Sequence, residues 1–180
     1  MGSVHEPMNG GSSLMRARAD RPLYTSEQRA RRDATRWTLV QGVLAPLQFA
    51  VCLISVGLIL RALMTGEGVF AANVSVLVKT ALLLAIMVTG AIWEKVVFGQ
   101  WLFAPAFFWE DVVSFGVIVL HLAYVAALIG GWLETGALLA LALTAYAAYA
   151  VNAAQFLLKL RAARLEASAP SSPRVRASFA

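Results

Sequence analysis

Charged residues divide the sequence into long apolar stretches. No Asp, Glu, Lys or Arg occurs in residues 37–60, 112–133 or 135–158, which leaves uncharged runs of 24, 22 and 24 residues. Each run is long enough for an α-helix to cross the hydrocarbon core of a bilayer. A fourth stretch, 74–93, carries Lys79 as its one charge, and we expect that ammonium to extend outward to the interface from near the start of its helix.

Composition supports this membrane assignment. Apolar residues make up 59% of the chain and charged residues 14%, with a mean hydropathy of +0.70, far from soluble-domain averages. The sequence therefore predicts an all-α fold, a four-helix transmembrane bundle in which an aromatic-rich cytoplasmic or interfacial loop joins the second and third spans. The predicted spans are 38–63, 74–96, 111–130 and 136–158.

The two ends of the chain differ from its centre. Residues 1–22 and 166–180 are rich in Gly, Ser, Pro, Ala and Arg without periodicity, so we predict disordered tails around a single domain at 23–165. Basic residues flank the first and last spans, which predicts that both termini lie on the cytoplasmic side of the membrane. These flanks favour anionic lipid, and no nucleic-acid-binding motif accompanies them.

The sequence lacks the residues and motifs that several common kinds of site require. Cys52 is the one cysteine, which excludes an intrachain disulfide and a CxxC metal site. No GxGxxG, P-loop, HExxH or GxSxG motif occurs, so nucleotide-driven and common hydrolase mechanisms are not indicated. We expect no cofactor.

The segment 93–111, WEKVVFGQWLFAPAFFWED, combines acids with aromatic rings. Glu94, Glu110 and Asp111 are candidate catalytic carboxyls, although helix capping also explains charges at helix ends. Rings over a cavity with carboxyls at its rim would hold a flat, conjugated substrate, whereas an interfacial aromatic belt is the simpler alternative. The candidate substrate-binding rings are Trp101, Phe107, Phe108 and Trp109.

Polar residues also mark helix faces within the predicted spans. In the third span Glu110, Ser114, Val117, His121 and Tyr124 lie along one line that extends about 16 Å inward. His121 either bonds a neighbouring helix or binds a metal or substrate. Gln41 in the first span and Asn152 and Gln155 in the fourth either bond between helices or line a cavity. A predicted small-residue packing seam in the fourth span comprises Gly136, Ala140, Thr144, Ala148 and Asn152.

Long contiguous strings of this sequence resemble a known family. YTSEQRARRDATRWTLVQGVLAPLQF, VKTALLLAIMVTGAIWEKVVFGQWLFAPAFFWEDVVS and VNAAQFLLKLRAARLE are similar to the vinyl bacteriochlorophyllide hydratases of bacteriochlorophyll biosynthesis. The resemblance covers about 23–166. It implies hydration of the C3 vinyl group of a chlorophyllide or bacteriochlorophyllide to a 1-hydroxyethyl group, without a redox or nucleotide cofactor. It also implies a location in a bacterial inner or intracytoplasmic photosynthetic membrane and other pigment-biosynthesis enzymes as partners.

The chemistry of vinyl hydration suggests roles for these residues. The macrocycle delocalises the cation that forms when the terminal vinyl carbon is protonated, so the reaction needs an acid and a positioned water. We hypothesise that Glu110 is the acid and that Asp111 or Glu94 is the base. His121 is a candidate ligand of the substrate magnesium. Arg36 or Lys159 is a candidate partner for the substrate propionate.

Two other functions fit the same features. A non-catalytic tetrapyrrole-binding or photosynthetic assembly protein would use the aromatic loop and His121 but would not need paired carboxyls. A small transporter would need two copies of the four helices around a shared path.

Overall fold

A computed structural model describes residues 23–168, which form helices joined by short connections and contain no strand. The helices are α1 (Ser26–Ala34), α2 (Arg36–Thr65), α3 (Val69–Phe98), α4 (Phe108–Gly130) and α5 (Thr135–Ser168). The last four are long and apolar enough to cross a membrane. The predicted all-α fold with four transmembrane helices is confirmed.

The helices extend beyond most of the predicted bounds. α3 begins at Val69, five residues before the predicted start, and α5 continues to Ser168. The predicted amino-terminal tail, 1–22, lies outside the described residues, as does 169–180. At 30 residues each, α2 and α3 are about 45 Å long and exceed the hydrocarbon thickness of about 30 Å.

Local sequence explains where the helices begin and end on one side of the bundle. Thr25 and Gln28 form a reciprocal capping box at the start of α1, and the Thr35 side chain caps α2. Gly99 caps the end of α3 with a φ of 84°, a left-handed conformation that glycine adopts more readily than other residues. The starts of α2 and α4 and the ends of α3 and α5 lie on the side of the bundle that carries residues 99–107. We call this side the loop face.

The four long helices pack as two antiparallel hairpins, α2 with α3 and α4 with α5. Contacts within each hairpin are far more extensive than contacts between the hairpins. The shared core is apolar and includes the fully buried Ile59, Val76, Leu139 and Tyr124. The two hairpins are therefore separate packing units held by a smaller set of contacts.

Hydrogen bonds of Ser55 and Tyr124 join the two hairpins, and Ser55 also bonds within its own hairpin. The Ser55 hydroxyl on α2 bonds the Tyr146 hydroxyl on α5 at 2.7 Å and the Ser75 hydroxyl on α3 at 2.6 Å. Tyr124 on α4 donates to the Asn73 side-chain oxygen on α3 at 2.8 Å. Because hydrocarbon offers no competing partners, such bonds favour one fixed arrangement of the hairpins.

Two sequence-based expectations were wrong. The expectation that Lys79 extends to the interface fails because α3 begins ten residues earlier, and the side chain is fully buried. The predicted seam on α5 fails because Gly136, Ala140 and Thr144 are exposed. α5 instead packs through a neighbouring face that includes Leu139, Ala142, Ala145, Tyr146 and Tyr149.

We predict that Tyr146→Phe lowers the free energy of unfolding by about 0.6–1.7 kcal/mol, since it removes an interhelical hydrogen bond without changing the ring. Titration of the purified protein from mild detergent into dodecyl sulfate measures this. Tyr149→Phe is the matched control, because the Tyr149 hydroxyl makes no hydrogen bond within the described residues. Equal stability of the two variants would contradict the prediction.

Candidate active site

The connection 99–107 folds back over the end of the bundle. The Phe107 amide donates to the Ala104 carbonyl at 2.7 Å, which closes a turn around Pro105 just before α4 starts. Ala104 and Phe107 are buried, and Trp101 is 59% exposed. The connection is therefore an ordered cover over the helix ends, with some side chains facing inward and others outward.

Two carboxyl groups meet beneath this cover. Glu94 lies near the end of α3 and Asp111 in the first turn of α4, and their carboxyl groups are close enough to interact directly. Only 5% of Glu94 and 4% of Asp111 is exposed. Two ionised carboxylates so close together in a buried site repel each other, which favours a state in which the pair shares one proton. We call Glu94 and Asp111 the acid pair.

Main-chain amides of the connection bind the acid pair directly. The Phe103 amide donates to Asp111 Oδ2 at 2.7 Å, and the Ala104 amide donates to Glu94 Oε2 at 3.1 Å. Phe103 has a φ of 59°, within the left-handed region that a non-glycine residue rarely adopts. Two successive amides thus converge on two carboxyls, at the cost of a strained residue.

Glu110 has a different partner. Lys159 near the end of α5 donates to Glu110 Oε2 at 2.6 Å, and the ammonium also lies 5.1 Å from the centre of the Phe107 ring. The Glu110 side chain is 11% exposed and that of Lys159 27%. Glu110 is therefore held in an ion pair with Lys159, whereas Glu94 and Asp111 have no cation as a direct partner among the described residues.

The aromatic residues of this region divide into an inner and an outer set. Phe107 packs inside a cluster with Tyr24, Trp93, Phe98 and Phe156, at centroid distances of 5.7–6.4 Å. Burial raises the pKa of Tyr24 above its usual value, against the opposing effect of Arg32, so its hydroxyl is neutral. The inner rings fix the start of α4 beside the acid pair.

Candidate rings of the outer set face away from the acids. Trp101, Phe108 and Trp109 are 59%, 43% and 70% exposed. Phe108 contacts Trp109 and Phe103, and Phe103 stacks on Phe115 at 5.6 Å. The structure therefore does not bring these three rings together with Phe107, and their exposure suits an interfacial belt as well as a pigment-contacting surface.

The polar face of α4 points inward, as its periodicity indicates. Glu110, Ser114, Val117, His121 and Tyr124 are all buried. Asn152 on α5 donates to the Ser114 hydroxyl at 2.8 Å, and its own carbonyl oxygen has no partner among the described residues. The Gln155 carbonyl oxygen is likewise buried and without a partner in that part of the chain.

His121 lies deepest on this face and is fully buried. Its Nδ1 is 2.8 Å from the Val117 carbonyl, which can only accept, so Nδ1 carries the proton. Nε2 then presents a lone pair, and no group within residues 23–168 bonds it. An unpaired, inward-facing imidazole nitrogen is a site for an external donor or a metal.

Gln41 lies apart from these groups. Its amide nitrogen donates to the Thr89 hydroxyl at 2.7 Å, within the hairpin of α2 and α3. This supports the interhelical alternative for Gln41. No three His, Cys, Asp or Glu side chains of the described chain come together as a metal site.

Sequence reasoning missed three features of the site. The ion pair of Glu110 with Lys159 joins residues 49 apart, which no local pattern indicates. The left-handed Phe103 and the two amides that bind the acid pair are backbone features without a residue signature. Tyr24 was placed at the domain boundary, although its position before a capping box was a usable signal for an ordered start.

We predict that Lys159→Met lowers the free energy of unfolding by about 1–3 kcal/mol, because it leaves the Glu110 carboxylate buried without its cation. Adding Glu110→Gln should recover most of that loss, which unfolding titrations in detergent would measure. Additive losses in the double variant would show that the two side chains do not interact.

Comparison with known proteins places the chain in a family. The family model described as 2-vinyl bacteriochlorophyllide hydratase (BCHF) matches residues 24–162. A curated 2-vinyl bacteriochlorophyllide hydratase of Cereibacter sphaeroides is 68% identical over 149 residues, 83% of this chain and 92% of that protein. One of Rhodobacter capsulatus is 64% identical over 146 residues, 81% of this chain and 85% of that protein. No solved structure matches. This chain belongs to the 2-vinyl bacteriochlorophyllide hydratase family.

Proposed function

We propose that this protein adds water across the vinyl group of a chlorophyllide or bacteriochlorophyllide to give a 1-hydroxyethyl group, as a hydro-lyase of bacteriochlorophyll biosynthesis. This vinyl is at C3 of the macrocycle in the numbering used above, and older tetrapyrrole numbering calls the same position 2. Family membership supports the reaction. The observation that carries a mechanism is the burial of two adjacent carboxyl groups, Glu94 and Asp111, beneath residues 99–107.

The reaction begins with proton transfer to carbon. The protonated member of the acid pair gives its proton to the terminal vinyl carbon, which becomes a methyl group. The inner carbon becomes a cation that the conjugated ring delocalises. Exclusion of water strengthens the electrostatic attraction between this cation and the carboxylate left behind.

Water then adds to the inner carbon. The second carboxylate accepts a proton from the water as the carbon–oxygen bond forms. The two carboxyl groups of the pair then again carry one proton between them. Nothing is oxidised or reduced, and the scheme needs no cofactor. General acid–base assistance of this kind accelerates a reaction by about a hundred- to ten-thousandfold.

Helix ends distinguish the two members of the pair. Asp111 stands in the first turn of α4, where the helix dipole stabilises negative charge, whereas Glu94 stands near the end of α3, where the dipole opposes it. We therefore assign the proton to Glu94, as the acid, and the base role to Asp111. The Glu110 hypothesis is less favoured, since that carboxyl group is already engaged in an ion pair with Lys159.

Substrate must reach acids that are almost fully buried. We propose that residues 99–107 move aside or that the hairpins separate, which their limited mutual contact favours. The macrocycle then lies along the polar face of α4, between the hairpins. Asn152 and Gln155 offer unpaired oxygens there, and the Nε2 lone pair of His121 suits the magnesium of the substrate.

The proposed position of the reaction in the membrane is at the loop face. The predicted cytoplasmic orientation puts the loop face and the acid pair at the cytoplasmic edge of a bacterial inner membrane, where a free pigment acid would arrive from other pigment-biosynthesis enzymes.

The alternative of a non-catalytic tetrapyrrole-binding protein rests on the exposed rings of Phe103, Phe108 and Phe115.

We expect Glu94→Gln and Asp111→Asn each to reduce hydration of chlorophyllide by about a hundredfold or more, since each removes one half of the proton exchange. Glu110→Gln is the matched control and should reduce it less. Liquid chromatography with mass detection follows the gain of one water, and pigment absorbance follows binding. Unchanged hydration in both pair variants removes this mechanism, and pigment binding without hydration in the wild type favours the binding-protein alternative.

Hydration in deuterium oxide tests the first step. If the acid pair protonates the terminal vinyl carbon, the product carries one non-exchangeable deuterium, located in the new methyl group, because the acid exchanges its proton with solvent between turnovers. Nuclear magnetic resonance of the purified product locates the label. A methyl group without deuterium would contradict proton delivery from an exchangeable acid.

A further inference from the structure

Lys79 is a cation enclosed by the centre of the bundle. Its side chain is fully buried about a third of the way along α3, ten residues after that helix begins. The ammonium donates to the Gln48 side-chain oxygen and lies 3.5 Å from the centre of the Tyr149 ring. Contacts from α2 and α5 therefore hold its charge at the boundary between the two hairpins.

No carboxylate neutralises this charge. The ion pairs within residues 23–165 involve other cations, and Lys159 is already paired with Glu110. A neutral amide and an aromatic face return less free energy than an ammonium loses on leaving water. Lys79 thus has the character of a site for an anion that the polypeptide itself does not supply.

His121 is a second buried polar group near Lys79, and one of its ring nitrogens makes no hydrogen bond within the described residues. His121 is near enough for the two side chains to interact electrostatically, and its Nε2 is the unpaired nitrogen described above. Lys79 and His121 are fully buried on opposite hairpins, and each has hydrogen-bonding capacity that the described residues do not use. They indicate a place where a ligand supplies the missing contacts.

The spacing along two helices relates this place to the acid pair. His121 follows Asp111 by ten residues on α4, and Lys159 follows Tyr149 by ten on α5. Each separation corresponds to about 15 Å along the helix. Lys79 itself precedes Glu94 by fifteen residues on α3, about 22 Å along the helix, but its long side chain brings the ammonium to Gln48 and Tyr149. A separation of about 15 Å at the level of Tyr149 suits a tetrapyrrole that presents its vinyl edge at one end and an acidic side chain at the other.

We propose that Lys79 binds the free propionate carboxylate of the tetrapyrrole, which fixes the macrocycle with its vinyl group at the acid pair. This inference rests on the proposed substrate, although it does not need the proposed mechanism or magnesium ligation by His121. It replaces the sequence-based candidates, since Arg36 is exposed at the start of α2 and Lys159 already has a carboxylate partner.

Esterification of the ligand provides the test. Chlorophyllide a and its methyl ester are titrated into the purified full-length protein in detergent micelles, and the dissociation constants are read from pigment absorbance. Wild-type protein should prefer the acid by about ten- to a hundredfold, the usual effect of a hydrogen bond to a charged group. Lys79→Met should bring the ratio near one while leaving affinity for the ester unchanged, which also shows that the variant is folded.

Three further variants sharpen the result. Arg36→Met and Lys159→Met test the other candidate cations and should keep the preference for the acid, as should Arg61→Met, which removes an exposed cation at the opposite end of the bundle. An unchanged ratio in Lys79→Met, loss of the ratio in Arg36→Met or Lys159→Met, or equal weakening of acid and ester in Lys79→Met would overturn the proposal. Absence of hydration with the ratio pattern intact would instead reject the proposed function alone.

Discussion

Hydrocarbon supplies no hydrogen bonds, so each polar group inside this bundle has to find its partner within the protein or in a ligand. The structure meets this constraint at two depths. Near the loop face, main-chain amides and Lys159 bind three carboxyls. Near the centre, hydroxyls, amides and Lys79 form a second layer between the hairpins. Groups left unpaired by this arrangement, such as His121 Nε2, are the natural places for substrate.

The same constraint couples stability to chemistry. The two hairpins share less contact with each other than each has internally, and hydrogen bonds add to their apolar core in fixing their relative position. A substrate that entered between them would exchange some of those bonds for its own. The protein can therefore hold acids in a water-poor interior and still admit a large, flat molecule, because the boundary between the hairpins is already its least extensive packing surface.

Periodicity and charge predicted much of this fold, because both follow from the bilayer. Three uncharged runs and one apolar stretch with a single lysine predicted four spans, and 100° per residue placed the buried face of α4 correctly from Glu110 to Tyr124. Contacts between distant segments were beyond that reasoning. A helix wheel gives a face but no partner, so it did not reveal that Lys159 would pair with Glu110 or that Lys79 would be enclosed.

The aromatic segment shows the same limit at the candidate site. Its sequence indicated rings beside acids, and the acids are indeed adjacent to Phe107. The direction of each ring depends on the path of residues 99–107, which turns Phe107 inward and Trp101 and Trp109 outward. A turn with one left-handed residue at Phe103 decides this path, and residue type at 103 carries no sign of it.

The left-handed turn at Phe103 has a practical consequence for mapping this region. The groups that hold the acid pair there are peptide nitrogens, which every residue except proline possesses. A survey that replaced side chains one at a time with alanine would leave both contacts intact and would assign the segment little importance. Its contribution becomes visible only when the backbone itself is altered, as by an ester linkage in place of the amide at 103 or 104.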